Sequence, residues 1–208
     1  MTTVSFDLFG TLVATPAVTD PSEAVATELR QRGVALPDDW RTAYREPHEQ
    51  VEPGRERSLV AHARDTLASR GVEVRHGTVH RAVRAAFEKP VETRLGARAA
   101  VTTAAERGSV AVLSNCSVPG LVERTLRRST VDESLFDAVV ASVDSGWRKP
   151  HRRAFEAVAT ATETRPADLI HVGDDPETDG GVSAVGGRAI LVDETPLTNL
   201  SDRLTEAR

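Results

Sequence analysis

Four separated groups of residues carry side chains able to do chemistry: Asp7 with Thr11 in "SFDLFGTL", Ser114 with Asn115 in "VLSN", Lys149 in "WRKP", and Asp174, Asp175 and Asp179 in "VGDDPETD". Taken singly, each has a structural use. Asp7-Gly10-Thr11 suits a turn, Ser114-Asn115 a helix cap, Lys149 a solvated charge ahead of a helix, and the acidic run a surface loop. Taken together they have another. A carboxylate at a strand end, facing a second acidic loop with a lysine and hydroxyls nearby, is the set that phosphoryl transfer through an aspartyl intermediate requires. Mg²⁺ takes hard oxygen ligands and keeps waters and substrate oxygens among them, so two carboxylates, Asp7 and Asp174, and a carbonyl suffice to hold it from the protein side. Lys149, Ser114 and Thr11 then balance the charge of the transferring group and hold the spare oxygen of the nucleophile.

These groups must be brought together by the elements around them. The runs "TVSFDLF", "SVAVLSN", "FDAVVASV", "DLIHVGDD" and "RAILVD" are short, apolar and bounded by glycine or polar residues, as strands buried on both faces are. Amphipathic segments lie between them: Val118, Leu121, Val122, Thr125 and Leu126 share one helical face, and Ala154, Phe155, Val158 and Ala159 another. Strand and helix alternate from about residue 93 onward, which predicts an α/β fold with a doubly wound parallel sheet. The interval 16–92 offers no convincing strand and repeats apolar residues at i, i+4, in Val25 and Leu29, in Leu59, Ala63 and Leu67, and in Val79, Val83 and Phe87. It is expected to form a small helical cap domain over the strand ends, with residues 1–15 and 93–208 forming the core domain.

The 208 residues are 39% hydrophobic and 27% charged, a globular composition rather than a disordered one. A net charge of -5 provides no electrostatic footprint for nucleic acid. Neither a membrane span nor a signal peptide is predicted, so a cytoplasmic location is the expectation; the partner expected of the site is a small-molecule substrate. The single cysteine, Cys116, excludes an internal disulfide. Only Lys89 and Lys149 are lysines among 26 basic residues, which makes the position of each informative.

In these same motifs the chain resembles the haloacid dehalogenase-like (HAD) hydrolase superfamily. "SFDLFGTL" is similar to its first motif, "VLSN" to its second, "GWRKPHRRAFEAV" to its lysine motif and "HVGDDPETDGGVSAVGGRAILVD" to its acidic motif. The resemblance implies a Rossmann-like core with a cap inserted after the first strand, and Asp7 as nucleophile. It implies Ser114 and Lys149 as phosphate-binding and charge-balancing residues, and Asp174 as a metal ligand supported by Asp179 and Asp175. The main-chain carbonyl of residue 9 would be a further magnesium ligand.

Phe9 departs from that pattern. The phosphatases of the superfamily usually carry a second aspartate there, which protonates the leaving oxygen, so the resemblance implies a magnesium site without the general acid. The expected activity is a Mg²⁺-dependent phosphatase acting on a small phosphorylated metabolite. A 2-haloacid dehalogenase is the alternative, since such members have an aromatic residue at this position and halide leaves unprotonated; they also use a cap arginine, for which Arg41 and Arg45 are candidates. Phosphonate-cleaving members use a cap lysine, and the cap has none before Lys89. A fold retained for binding without turnover is the third reading. His48 and His62 are candidates for a substitute acid, and His76 with His80 share a helical face without a zinc-type pattern. His171 and Cys116 are expected to be packed, Trp147 to wall the site or anchor its loop, and Trp40 and Tyr44 to be cap core or substrate contacts.

Overall fold

The computed structural model describes residues 2–205. Strand β1 (Thr3–Phe6) leads through a tight loop to the two-residue β2 (Val13–Ala14). Helices α1 (Pro21–Gln31), α2 (Trp40–Arg45), α3 (Leu59–Ala68) and α4 (His76–Phe87) follow, and β3 (Glu92–Thr93) closes that interval. The chain continues through α5 (Ala97–Ala105), β4 (Ser109–Ser114), α6 (Leu121–Arg128), β5 (Ala138–Ala141), α7 (Ser142–Ser145), α8 (Arg152–Ala161), β6 (Leu169–Gly173), β7 (Arg188–Leu191) and α9 (Leu200–Thr205).

Five strands pair in parallel in the order β5-β4-β1-β6-β7. All residues of β1 and β6 are buried, as central strands covered on both faces require. Their side chains alternate between two cores. Val110 and Val112 of β4 face one core with Ile170 and Val172 of β6, whereas Ala111 and Leu113 face the other with Leu169 and Phe155 of α8. The second face also carries the polar residues of β1. Thr3 meets the hydroxyls of Thr162 and Thr164, and Ser5 meets His171. Period two then places Asp7 on this same face just beyond the end of β1.

The helices of this interval pack on one another within a hydrophobic core that continues into one face of the sheet. Asp20 caps α1 by accepting from the Glu23 amide, with Pro21 in the first turn, and Ser58 caps α3. Val25 and Leu29 bury against Val79 and Val83 in one continuous core. Several links tie this block to the rest of the chain. One is the antiparallel ribbon β2–β3, pairing Val13 with Thr93. Another is residues 54–56, where the Arg148 amide donates to the Gly54 carbonyl at 2.9 Å and the Glu56 amide to the Gly146 carbonyl at 3.0 Å. Among the described residues, no helix is long and apolar enough to cross a membrane.

Candidate active site

The strand order reverses around β1, with β4 on one side and β6 on the other, and ligands of open α/β sheets bind outside the strand ends at such a point. Asp7 follows β1 directly, and its amide donates to the Val172 carbonyl at 2.8 Å, which fixes the side chain at the sheet's edge. Ser114 is the last residue of β4, and Asp174 follows β6. Lys149 arrives from the loop between α7 and α8. All of these border a cavity of about 300 Å³ together with Phe9, Asn115, Arg148, Asp175, Thr178 and Asp179.

Lys149 is buried between two carboxylates, with its ammonium 2.9 Å from Asp7 Oδ1 and 2.6 Å from Asp179 Oδ1. Asn115 holds the lysine's backbone from both sides: its Nδ2 donates to the Lys149 carbonyl at 3.0 Å and its Oδ1 accepts from the Lys149 amide at 2.8 Å. Thr11 donates its hydroxyl to Asp174 Oδ1 at 2.8 Å. Two glycines make room for the acidic loop. Gly10 has φ +93°, and a Cβ there would lie 2.3 Å from the Asp174 carboxylate, while one at Gly173 would lie 2.0 Å from that of Asp179.

Asp179 is satisfied on both oxygens, Oδ1 by Lys149 and by His171 Nε2 at 3.0 Å, and Oδ2 by the Asp175 amide at 3.0 Å. An ionised carboxylate only accepts, so His171 carries its proton on Nε2 and takes the Ser5 hydroxyl on Nδ1, 2.8 Å away. Burial and the neighbouring Lys149 charge push His171 down to about 4, so it stays neutral at pH 7. Burial works against the Asp179 anion, but His171 and Lys149 outweigh it and hold the carboxyl below the usual range. Asp7 goes the other way: burial raises it to about 6, Lys149 offsets part of this, and the Asp179 charge adds to it. The expectation that His171 is packed rather than reactive agrees with this geometry, but its part in bracing Asp179, with Ser5, has a specific purpose. Period two offered the signal, since Ser5 lies two before Asp7 and His171 two before Gly173.

The Asp7, Asp174 and Asp179 carboxylates each place an oxygen within 4.8 Å of the others. No side-chain donor among the described residues reaches Asp7 Oδ2, and Asp174 gives only one oxygen to Thr11. The donor set is therefore hard oxygen with spare capacity, which fits a divalent ion of the magnesium type. The Ser114 hydroxyl is buried without any partner at the cavity wall. Asp175 turns inward on its own loop, accepting from the Glu177 amide and the Thr178 hydroxyl.

Other candidates lie elsewhere. His62 meets the Tyr44 carbonyl and His48 the Ala43 carbonyl inside the helical block, and neither lines the cavity. Arg41 pairs with Asp20, and Arg41 and Arg45 are both exposed and absent from the cavity wall. Burial pushes the Cys116 thiol up to about 11, which leaves it unreactive. Trp147 is buried away from the cavity, its ring stacked on His151 and packed against the guanidinium groups of Arg55 and Arg153, so it anchors the lysine loop. Trp40 donates to the Ser22 carbonyl and belongs to the core of the helical block.

Lys149 is the countercharge of this site. Lys149→Met is expected to leave two buried carboxylates facing each other and to lower stability by about 3–5 kcal/mol, read from the urea midpoint at pH 7.

The fold and site together define an α/β protein with an acidic, oxygen-donor centre at the strand ends of a five-stranded parallel sheet. The haloacid dehalogenase-like hydrolase family matches residues 1–182. The chain belongs to that family. No curated protein matches it in sequence. Among solved structures it is similar to a 2-haloacid dehalogenase from Pseudomonas syringae pv. Tomato DC3000, at 19% identity and a TM-score of 0.72 over 100% of both chains. It is also similar to the HAD-hydrolase YfnB from Bacillus subtilis bound to magnesium, at 17% identity and a TM-score of 0.57, covering 99% of this chain and 97% of that one. A third is a HAD family enzyme from Bacteroides thetaiotaomicron in complex with magnesium and inorganic phosphate, at 15% identity and a TM-score of 0.59, covering 92% and 93%. At these identities the likeness describes the fold.

Proposed function

We propose that this protein is a magnesium-dependent phosphatase that hydrolyses a small phosphorylated metabolite through an aspartyl-phosphate at Asp7. The observation that carries the reading is the convergence of three carboxylates within 4.8 Å around one buried lysine, which pairs with two of them. Three carboxylates facing one lysine leave an excess of negative charge, which a divalent ion removes.

Asp7 and Asp174 would hold magnesium through their spare oxygens, with the Phe9 main-chain carbonyl as a third protein ligand, while Asp179, already saturated, would stand behind them. When bound, the ion screens the phosphate's negative charge from the attacking carboxylate. Asp7 attacks phosphorus, forming an O–P bond as the ester bond to the leaving oxygen breaks. Lys149 keeps the Asp7 carboxylate oriented, and the partnerless Ser114 hydroxyl is a donor held ready for a phosphoryl oxygen. Water then attacks the aspartyl-phosphate, releasing phosphate and restoring Asp7.

Calorimetric titration with Mg²⁺ is expected to give one site in the wild type and at least 10-fold weaker binding in Asp174→Asn, which loses a ligand charge. Equal binding by both, or by neither, would remove the metal centre from this account.

Phe9 favours a second reading, 2-haloacid dehalogenation, in which no general acid is needed. The reading lacks a cap arginine at the nucleophile, since Arg41 and Arg45 both lie off the cavity. Parallel assays of an aryl phosphate and 2-chloropropionate, each with Mg²⁺ and with chelator, decide between the two. Chelator-resistant halide release would establish the dehalogenase.

A further inference from the structure

A second cavity of about 290 Å³ adjoins the catalytic one, and Phe9 and Asn115 line both. Its wall is made by Phe9, Leu59, Phe87, Val118 and Leu121, with Lys89 as the one charged side chain among its described lining residues. Leu59 and Phe87 close the i, i+4 rows of α3 and α4, yet both stay half-buried while their partners Ala63, Leu67, Val79 and Val83 are buried in the helical block. Both pack against the core on one side and line the cavity on the other.

Lys89 has no hydrogen bond or ion pair among the described residues. The acids of the neighbouring groove are committed elsewhere, Asp20 to Arg41, Glu23 to Arg30 and Glu28 to Arg32. An unpaired cation on an apolar wall beside a reactive centre is an anchor for an anion on the substrate. The phosphate itself is already served by Lys149 and Ser114, so this second anion belongs to the leaving group. Phe9 supplies no proton, and that restricts the leaving oxygen to one stable as an anion. A pocket of this size admits about one ring or a short branched chain.

We infer that the substrate is a phosphate ester of a phenol or enol that also bears a carboxylate, its apolar body lying against Phe9, Leu59 and Phe87 and its carboxylate paired with Lys89. The inference rests on the phosphatase reading for its turnover, but the pocket can be tested separately. The probes are 4-carboxyphenyl phosphate and its methyl ester, 4-methoxycarbonylphenyl phosphate. The ester has the better leaving group, so any preference for the acid comes from binding. The wild type is expected to show a KM about 10-fold or more lower for the acid. Lys89→Gln should bring the acid-to-ester ratio close to one, and Lys89→Arg should restore it. Calorimetry with the products alone, 4-hydroxybenzoate against its methyl ester, should show the same ratios without any turnover. If no phosphate is hydrolysed, the phosphatase reading fails while calorimetry still decides the pocket. Equal or undetectable binding of the two products by wild type, or a preference that survives in Lys89→Gln, overturns the inference.

Discussion

Asp7→Asn is expected to abolish turnover, by about 10⁴-fold or more, and to make the metal-free protein more stable. The first effect follows because a carboxamide oxygen is a poor nucleophile. The second follows from linkage. The folded-state carboxyl is raised to about 6 from an ordinary 3.8, so folding favours its protonated form. That contribution is fully present below pH 3.8, declines between about pH 4 and pH 6, and is lost once the folded carboxyl ionises. At pH 7 the wild type therefore carries a buried charge whose cost reaches on the order of 3 kcal/mol, at about 1.4 kcal/mol per pKa unit. Asparagine keeps the shape without that charge. Thermal melts in chelator at pH 7 should place Asp7→Asn above the wild type, and saturating Mg²⁺ should raise the wild type more than the variant. If the variant melts lower in chelator, the Lys149 ion pair outweighs burial, and the site is a stable apo structure rather than one waiting for a cation. The same carboxylate is thus a liability to the fold and the reactive group of the site, a trade common at functional positions.

The strands and the reactive side chains were legible because both depend on local signals. Five apolar runs bounded by glycine and polar residues became β1, β4, β5, β6 and β7, and residues just past the ends of β1, β4 and β6 line the cavity. What depends on distant partners was not legible. The ribbon of Val13 with Thr93 joins pieces of two residues, too short for any periodicity. The docking of Glu56 on Ser117 and Ser142, at 2.9 and 2.6 Å, links positions with nothing in their local sequence to pair them. Asn115 lines the cavity as expected of a candidate site amide, but nothing in its local sequence announces that the same amide clamps the lysine loop. Leu59 and Phe87 obey helical spacing, but spacing identifies the face of a helix and not what that face meets.

Phe9 carries the other large effect. General acid catalysis contributes about 10² to 10⁴ in rate and matters most when the departing alkoxide is basic. No histidine reaches the cavity, and its remaining carboxylates are bound to Thr11, Lys149, His171 or their own loop, so the protein holds no evident substitute acid among its described lining residues. Wild-type rates are therefore expected to depend steeply on leaving-group pKa, with aryl and acyl phosphates cleaved at least 100-fold faster than alkyl ones. Phe9→Asp should flatten that dependence by accelerating the alkyl substrates. The replacement has two costs. The ring is half-buried against the core, so its loss removes on the order of 1–2 kcal/mol of apolar packing. A fourth carboxylate beside Asp7, Asp174 and Asp179 also raises the demand for a cation, so the variant should need more Mg²⁺ for half-maximal rate. Rates must accordingly be compared at saturating Mg²⁺ and per folded molecule. Should the wild type cleave alkyl phosphates as fast as aryl ones, the proton comes from the substrate or from a water that Phe9 does not exclude. The aromatic ring would then be a wall of the leaving-group pocket and nothing more.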